Sequence, residues 1–170
     1  MNTLDIVTFP DAFLKKTTQP VANIDGEIQR IIDQMADTMY QAPGIGLAAI
    51  QVGIDKSILI YDVAPGDGER TLGALINPRI VAQEGEILSE NEGCLSVPDF
   101  RSDVKRSAAV LVEGYDRHEK ELRFEAHDLL AIVLQHEIDH LNGVLFIDRI
   151  SALKRQFYKR RVLKQMKKEA

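Results

Sequence analysis

Two histidines and a glutamate near the C-terminal end have the types and spacing of a metal centre. His136 and His140 are four residues apart. On a helix their imidazoles would lie on one face, one turn apart, and could bind one divalent cation. Glu137 would then lie beside that cation. The HExxH pattern also occurs by chance on solvated helix surfaces, so the surrounding sequence has to distinguish the two interpretations.

The helix that carries this motif is predicted to be buried. It is expected to run from Asp128, as its N-cap, to Asn142, with Gly143 ending it. Apolar residues recur around most of its circumference, which is typical of a helix in the protein interior. Burying a glutamate and two imidazoles without partners is costly. A metal or a dense hydrogen-bond network is therefore expected around the motif.

A catalytic metal site of this kind needs a third protein ligand, with water in the remaining position. In the HExxH zinc proteases that ligand follows the helix, but no HxxGxxH pattern follows His140 here. Cys94 lies upstream, in a segment predicted to be non-repetitive between two strands. A lone cysteine is most often a small buried apolar residue, but its thiolate is also a strong metal ligand. The simplest ligand set for a catalytic metal is therefore Cys94, His136, His140 and one water molecule.

A glycine-rich segment, residues 44–49, precedes Gln51. It matches GxGxxA, but a dinucleotide-binding turn needs a preceding strand, and here Pro43 follows a predicted helix. Two interpretations remain open. The glycines could keep the backbone thin so that a ligand approaches closely with Gln51 pointing inward, or the segment could be a tight buried turn with Gln51 pointing outward.

Taken together, these motifs resemble those of the peptide deformylases, in particular the bacterial type, and the resemblance extends over the whole chain. It implies a metal-dependent hydrolase that removes the formyl group from N-formylmethionyl nascent peptides and releases formate. The motifs, in order, are Gly44-Ile45-Gly46-Leu47-Ala48-Ala49 with Gln51, Glu92-Gly93-Cys94-Leu95-Ser96, and His136-Glu137-Ile138-Asp139-His140.

The resemblance implies a role for each motif. The cysteine and both histidines would hold iron(II) in the cell, replaceable by zinc, nickel or cobalt. The metal would supply hydroxide, and Glu137 would take the proton of the water and pass it to the leaving amine. The Gln51 amide and the Leu95 backbone N–H would stabilise charge on the formyl oxygen. Substrate would be bound by Ile45, Leu129, Ile132 and Val133 at the methionine side chain, Gly46 and Gly93 at the backbone, and Arg101 further downstream.

Two other functions were weighed against this one. An HExxH-type zinc metallopeptidase would use similar chemistry, but the missing downstream ligand counts against it. A structural metal in an interaction module would need a fourth protein ligand, which a single cysteine and no second paired-ligand motif make a poor fit.

Composition and charge favour one cytoplasmic catalytic domain over residues 1–170. A monomer is expected, although no feature of the sequence determines the oligomeric state. The chain has one cysteine, no recognisable signal peptide and no apolar run long enough for a membrane helix. A net charge of -5 argues against binding to DNA. Residues 151–170 nevertheless carry a net +7 and the rest of the chain -12. This basic C-terminal helix is either solvated surface or a contact with the ribosome.

Apolar spacing predicts an α+β fold, with antiparallel β-sheets packed around a buried central metal-binding helix, plus N-terminal and C-terminal helices. The N-terminal helix is expected over residues 25–40, where isoleucine and methionine recur on one face. Strands are predicted over 57–62, 74–76, 79–89, 104–115 and 121–126.

Overall fold

The computed structural model describes residues 2–64 and 68–170. Over these residues it contains three α-helices and two antiparallel β-sheets, which confirms the predicted α+β class. The helices are α1 (Gly26–Gln41), α2 (Asp128–Leu141) and α3 (Ala152–Glu169). The strands are β1 (Gly46–Ala48), β2 (Ile58–Tyr61), β3 (Gly73–Glu84), β4 (Ile87–Cys94), β5 (Val97–Arg106), β6 (Ala109–Tyr115) and β7 (Glu121–His127).

The larger sheet, in the order β1-β2-β3-β6-β7, lies between α1 and α2. Successive residues of a strand point to opposite faces, and β2 shows the consequence. Ile58 and Ile60 pack in the cluster that contains α1, whereas Leu59 packs in the cluster that contains α2. All three side chains are fully buried. The sequence of β2 is therefore a continuous apolar run.

The smaller sheet is the hairpin of β4 and β5, which covers the side of α2 that carries the histidines. The predicted strand 79–89 is wrong in extent, because it spans the end of β3 and the start of β4. Gly85, with φ of 69°, makes the turn between the two sheets. The predicted strand 104–115 likewise divides, and the Gln135 side chain of α2 bonds the backbone N–H and C=O of Ser107 at the break.

Helix α2 begins differently from the prediction. Its N-cap is His127, in extended conformation and without a side-chain hydrogen bond, and Asp128 is the first helical residue with φ of 51°. Strand β7 thus runs directly into the helix, which leaves no turn for Asp128 to cap. The predicted end is confirmed: Gly143 has φ of 74°, and a Cβ there would lie 2.4 Å from the Lys15 carbonyl oxygen.

The C-terminal helix α3 is capped by Ser151, whose Oγ accepts a bond from the Lys154 backbone N–H. It attaches to the body through Tyr158, which is 1% exposed and packs with Phe9 and Phe100. Phe157, by contrast, is 65% exposed. Within residues 2–64 and 68–170, no helix is both long enough and apolar enough to traverse a bilayer.

Candidate metal centre and its cleft

Helix α2 and the end of β4 bring the predicted metal ligands together. The Nε2 atoms of His136 and His140 are 3.2 Å apart, and the Cys94 Sγ lies 3.3 Å from the His140 Nε2. One donor atom from each residue lies within 4.8 Å of the other two. The prediction of a non-repetitive segment around Cys94 is wrong. Cys94 is the last residue of β4, and it pairs with Val97 of β5 across a turn of two residues.

These donors suit a divalent cation with tetrahedral coordination. Metal–nitrogen and metal–sulfur bonds of about 2.0–2.3 Å at tetrahedral angles separate neighbouring ligand atoms by about 3.3–3.6 Å, close to the separations found here. Both histidines are buried, at 8% and 0% exposed. Two imidazole nitrogens and a thiol turned toward one point in the interior are compensated most simply by a positive ion between them.

The orientation of His136 is set by Glu92 on β4. The Glu92 Oε1 lies 2.6 Å from the His136 Nδ1, which leaves the Nε2 directed at Cys94 and His140. Arg106 of β5 donates to both Glu92 oxygens and, through Nη1, to Asp139 at 2.8 Å. Burial alone would raise the pKa of Glu92, but hydrogen bonds from His136 and Arg106 hold it at about 2. Glu92 is therefore a fixed anion behind the histidine.

The field at the centre favours positive charge. Burial opposes protonation of His136, but its hydrogen bonds to Cys94 and Glu92 outweigh burial and raise its pKa well above the usual value. Burial and the neighbouring charge of His136 lower the pKa of His140 well below its usual value. Protonation of His136 is thus favoured, and protonation of His140 is not. A bound cation would take the place of that proton.

Glu137 points into the same site from α2. It is 4% exposed, and burial raises the pKa of its carboxyl to about 7. Its Oε2 has no hydrogen-bond partner among the residues that the structure describes. Such an orphaned buried oxygen suits a group that accepts a proton from a bound molecule and returns it near neutral pH.

Gln51 faces inward, so the second of the two open interpretations, an outward-pointing glutamine, is wrong. Its side chain is 1% exposed and lies in a short 3-10 turn, Ala49–Val52. The Oε1 accepts a bond from the Ala48 N–H at 3.0 Å. The Nε2 donates to the Ser96 Oγ at 3.1 Å and lies 3.5 Å from the Cys94 Sγ. The glutamine amide is therefore part of the wall beside the metal ligands.

A cleft of about 690 Å³ opens above this centre, between β1, the β4–β5 hairpin and α2. Twelve of the thirteen predicted site residues line it, and the exception, His140, lies fully buried beneath. The glycine segment forms a thin wall, since a Cβ on Gly46 would lie 2.7 Å from the Glu137 Oε1. Ile45 and Leu129 stand at the mouth, at 47% and 48% exposed.

The sequence interpretation assigned no role to the residues behind the metal ligands. Glu92 belongs to the motif of residues 92–96. Its position two residues before the cysteine ligand was the one local indication that it could lie near the metal. Nothing in local spacing pointed to Arg106 or Asp139 as its partners. Ser96, which holds the Gln51 amide, was also quoted without a role.

The sequence matches a family model, described as polypeptide deformylase, over residues 3–156. Among curated relatives, the peptide deformylase of Desulfosudis oleivorans is 55% identical over 98% of this chain and 96% of its own length.

Solved structures agree with the sequence relatives. The peptide deformylase of Ehrlichia chaffeensis in complex with actinonin is 38% identical, with a TM-score of 0.90, and covers 97% of this chain and 98% of its own. A class I type b peptide deformylase from Acinetobacter baumannii, with Met-Ala-Ser bound, is 32% identical with a TM-score of 0.83, over 88% of this chain and 100% of its own.

Proposed function

The chain belongs to the polypeptide deformylase family of formyl-removing hydrolases, and we propose that its cleft performs this reaction at a metal held by Cys94, His136 and His140. The observation that carries the proposal is the convergence of these three donor atoms, within 4.8 Å of one another, on the floor of the cleft beside Glu137. The substrate class is the N-formylmethionyl end of a newly made polypeptide.

A divalent metal bound there supplies a Lewis acid and a water molecule of lowered pKa at neutral pH. The protein supplies the proton transfers. Glu137, with its pKa raised to about 7 by burial, is able to accept a proton from the attacking water and release it to the leaving amine. The same carboxyl thus serves both halves of the hydrolysis, and formate and a free methionine amine result.

Two donors of the chain are placed to bind the formyl oxygen. The Gln51 amide is held in place because its Oε1 accepts from the Ala48 N–H and its Nε2 donates to the Ser96 Oγ, which leaves the Nε2 beside the Cys94 Sγ. The Leu95 backbone follows Cys94 directly in the turn of the hairpin. Negative charge develops on that oxygen as water attacks. Donors held in place before the reaction stabilise this charge without reorganising, and each is typically worth about 2.7–4 kcal/mol.

The shape of the cleft favours a formyl group over larger acyl groups. The wall at Gly46 leaves no room for a Cβ, which would meet the Val133 Cγ1 at 2.9 Å. A formyl group has only hydrogen beyond its carbonyl and suits such a narrow space. Ile45, Leu129 and Ile132 line the cleft with Val133 and form the apolar surface that would receive a methionine side chain. Gly93 and Arg101, on the opposite wall, would contact the substrate backbone and its downstream part.

Formate release tests the function and separates it from its rivals. Metal-loaded protein is expected to release formate from formyl-Met-Ala-Ser and to leave internal peptide bonds intact. Cleavage at internal peptide bonds alone would support a metallopeptidase instead. Metal bound without any hydrolysis would favour a structural metal in an interaction module.

Glu137→Gln tests the proposed base. We expect turnover to fall by about 10²–10⁴-fold while the metal content stays the same, since Glu137 is not a ligand. Glu121→Gln is the control, because it removes an exposed carboxylate of β7. Metal-free or unfolded Glu137→Gln protein would contradict the assignment by making this residue structural.

We propose iron(II) as the metal in the cell, with zinc, nickel or cobalt able to replace it. The family resemblance supports iron, and a site of two imidazoles and one thiolate accommodates any of these ions. Metal analysis of anaerobically purified protein checks the proposal, and one equivalent of zinc with no iron would contradict it.

We propose further that the enzyme works as a cytoplasmic monomer and meets nascent chains through a ribosome contact of α3. In support of a monomer, all thirteen candidate site residues lie in or directly beneath the cleft, so the site needs no residue from a second copy. In support of the ribosome contact, α3 carries eight basic residues against one acid. Electrostatic attraction to ribosomal RNA is expected to weaken with salt. Equilibrium sedimentation checks the monomer, which a stable dimer would contradict.

Reversing charge is a sharper test of the ribosome contact than deleting α3, because deletion would remove the buried Tyr158. Lys164, Lys167 and Lys168 are exposed, and replacing all three with glutamate is expected to abolish cosedimentation with ribosomes. The same replacements at Lys16, Lys105 and Lys120, which are exposed elsewhere, are the control. Equal binding by both triple variants would contradict the contact.

A further inference from the structure

Ser96 lies in the turn after Cys94, behind the wall of the cleft. It is fully buried, at 0% exposed, and its Oγ accepts the hydrogen bond from the Gln51 Nε2 at 3.1 Å. The residue therefore touches the glutamine amide from outside the cleft, because Gln51 lines the cleft and Ser96 does not.

The surroundings of Gln51 determine which way its amide points. The Ala48 N–H is a donor, so the end of the amide that it meets at 3.0 Å has to be the oxygen. The Nε2 carries two hydrogens in the plane of the amide. One is donated to the Ser96 Oγ, so the other is directed away from Ser96, and in this structure it is donated to the Cys94 Sγ at 3.5 Å, on the side of the metal ligands.

The bond from Ala48 alone would leave the amide free to turn. The last torsion of a glutamine side chain is broad, and one hydrogen bond at the oxygen does not fix the plane of the NH₂ group. The Ser96 hydroxyl supplies the second fixed point. Both residues in turn are attached to one N-terminal segment, through bonds from the Val7 N–H to the Gln51 C=O at 2.7 Å and from the Phe9 N–H to the Ser96 C=O at 2.8 Å.

We propose that Ser96 is a positioning residue of the deformylation reaction, whose hydroxyl fixes the Gln51 amide so that its second Nε2–H stays on the Cys94 side, where the oxygen of the formyl group would accept it. The inference rests on the proposed role of Gln51 in binding that oxygen. The segment of residues 7–9 contributes to this positioning, because its backbone N–H groups bond the carbonyls of both Gln51 and Ser96.

A double-mutant cycle on the metal-loaded enzyme tests the inference. Ser96→Ala is expected to lower kcat about tenfold, the size of one well-placed hydrogen bond, and to change KM less than about twofold. In a Gln51→Ala background the same change is expected to lower kcat less than about twofold, because no amide remains to be positioned. Ser102→Ala is the control: Ser102 is also a buried serine, in β5, but its Oγ bonds the Asp103 carbonyl.

A second readout follows the amide itself. In ¹⁵N spectra of the metal-free and the loaded protein, Ser96→Ala is expected to shift the side-chain NH₂ signals of Gln51 and increase their mobility, whereas Ser102→Ala leaves them unchanged. The remaining signals report whether the variant is folded.

Equal losses of kcat in both backgrounds, or unchanged Gln51 signals in Ser96→Ala, would overturn the inference. Full activity of Gln51→Ala would overturn the role of Gln51 and the inference with it. Wild-type protein that released no formate would instead contradict the function, before any variant is compared.

Discussion

At the scale of single residues, the centre depends on charges that are buried in pairs. Arg106 has a side chain only 2% exposed and lies between Glu92, at 6%, and Asp139, at 13%. Arg149 adds a second bond to Asp139 from the surface. Glu92, Arg106 and Asp139 thus compensate one another's buried charges. Removing one of them leaves an opposite charge buried without a partner, which destabilises the fold.

Replacing Arg106 by leucine is expected to lower the free energy of unfolding by about 3–5 kcal/mol, because Glu92 and Asp139 would stay buried without a cation. Arg79→Leu is the matched control. It breaks the ion pair between Arg79 and Glu113, in which the arginine side chain is 74% exposed. The free energy of unfolding is expected to fall by less than about 1 kcal/mol. Urea unfolding measures both, and equal losses would contradict the importance of burial.

Gly46→Ala tests the thin wall. The new Cβ would lie 2.7 Å from the Glu137 Oε1, so the carboxylate has to move, and misplacement of this size is expected to lower kcat on the order of 10²-fold. Gly26→Ala, at the start of α1, meets nothing within 4 Å. It is expected to leave kcat unchanged and to stabilise the protein by about 0.4–1 kcal/mol. Unimpaired turnover in Gly46→Ala would contradict the wall.

At the scale of elements, α3 attaches to the body through one fully buried side chain, Tyr158, and Val162 is partly buried against the same cluster. Tyr158 packs with Phe9 and Phe100, at centroid distances of 5.5 and 4.7 Å, and Arg161 bonds the Asp99 carbonyl. The helix therefore braces the N-terminal segment and β5 at the same point. Tyr158 is therefore the main attachment of the helix, since the other large apolar residues of α3 are largely exposed: Leu153, Phe157, Leu163 and Met166.

Tyr158→Ala is expected to lower the free energy of unfolding by about 3–5 kcal/mol, as for other large buried aromatic residues. The neighbouring Phe157→Ala is expected to change it by less than about 0.5 kcal/mol, since Phe157 is 65% exposed. Both are measured by urea unfolding. Similar losses for the two variants would show that α3 packs differently.

At the scale of the whole molecule, the metal centre lies where two packing units meet. Cys94 belongs to the hairpin, whose core is shared with α3 and the N-terminal segment, whereas both histidines belong to α2, which packs on the larger sheet. A cation bound by all three donors would connect the two packing units. Its binding energy would then contribute to the stability of the folded protein.

Removal of the metal by a chelator is expected to lower Tm. Adding free metal back at 100 times its Kd is expected to raise the free energy of unfolding by about 2.7 kcal/mol, which corresponds to a rise in Tm of about 5–10 °C. Cys94→Ala removes one ligand and is expected to reduce this response strongly. Thermal unfolding with and without metal measures both. A Tm that is independent of metal in the wild-type protein would contradict the connection.

The sequence by itself determined what depends on near neighbours in the chain. The spacing of isoleucine and methionine predicted α1, the apolar circumference predicted a buried α2, and Gly143 ends that helix with the positive φ that glycine tolerates. Because four residues make one turn of a helix, the spacing of His136 and His140 was enough to place their imidazoles together. Such features depend on interactions between residues that are close in the sequence, within one helical turn or between adjacent strands, so a local sequence pattern is enough to predict them.

Only the tertiary structure decided which distant residues meet. Arg106 reaches Glu92 over 14 residues and Asp139 over 33, and Ser96 reaches Gln51 over 45. No periodicity connects such pairs, because the partner of a buried polar group depends on how sheets and helices pack. The start of α2 was wrong for the same reason: the path from β7 into the helix, not the capping preference of Asp128, sets the backbone there.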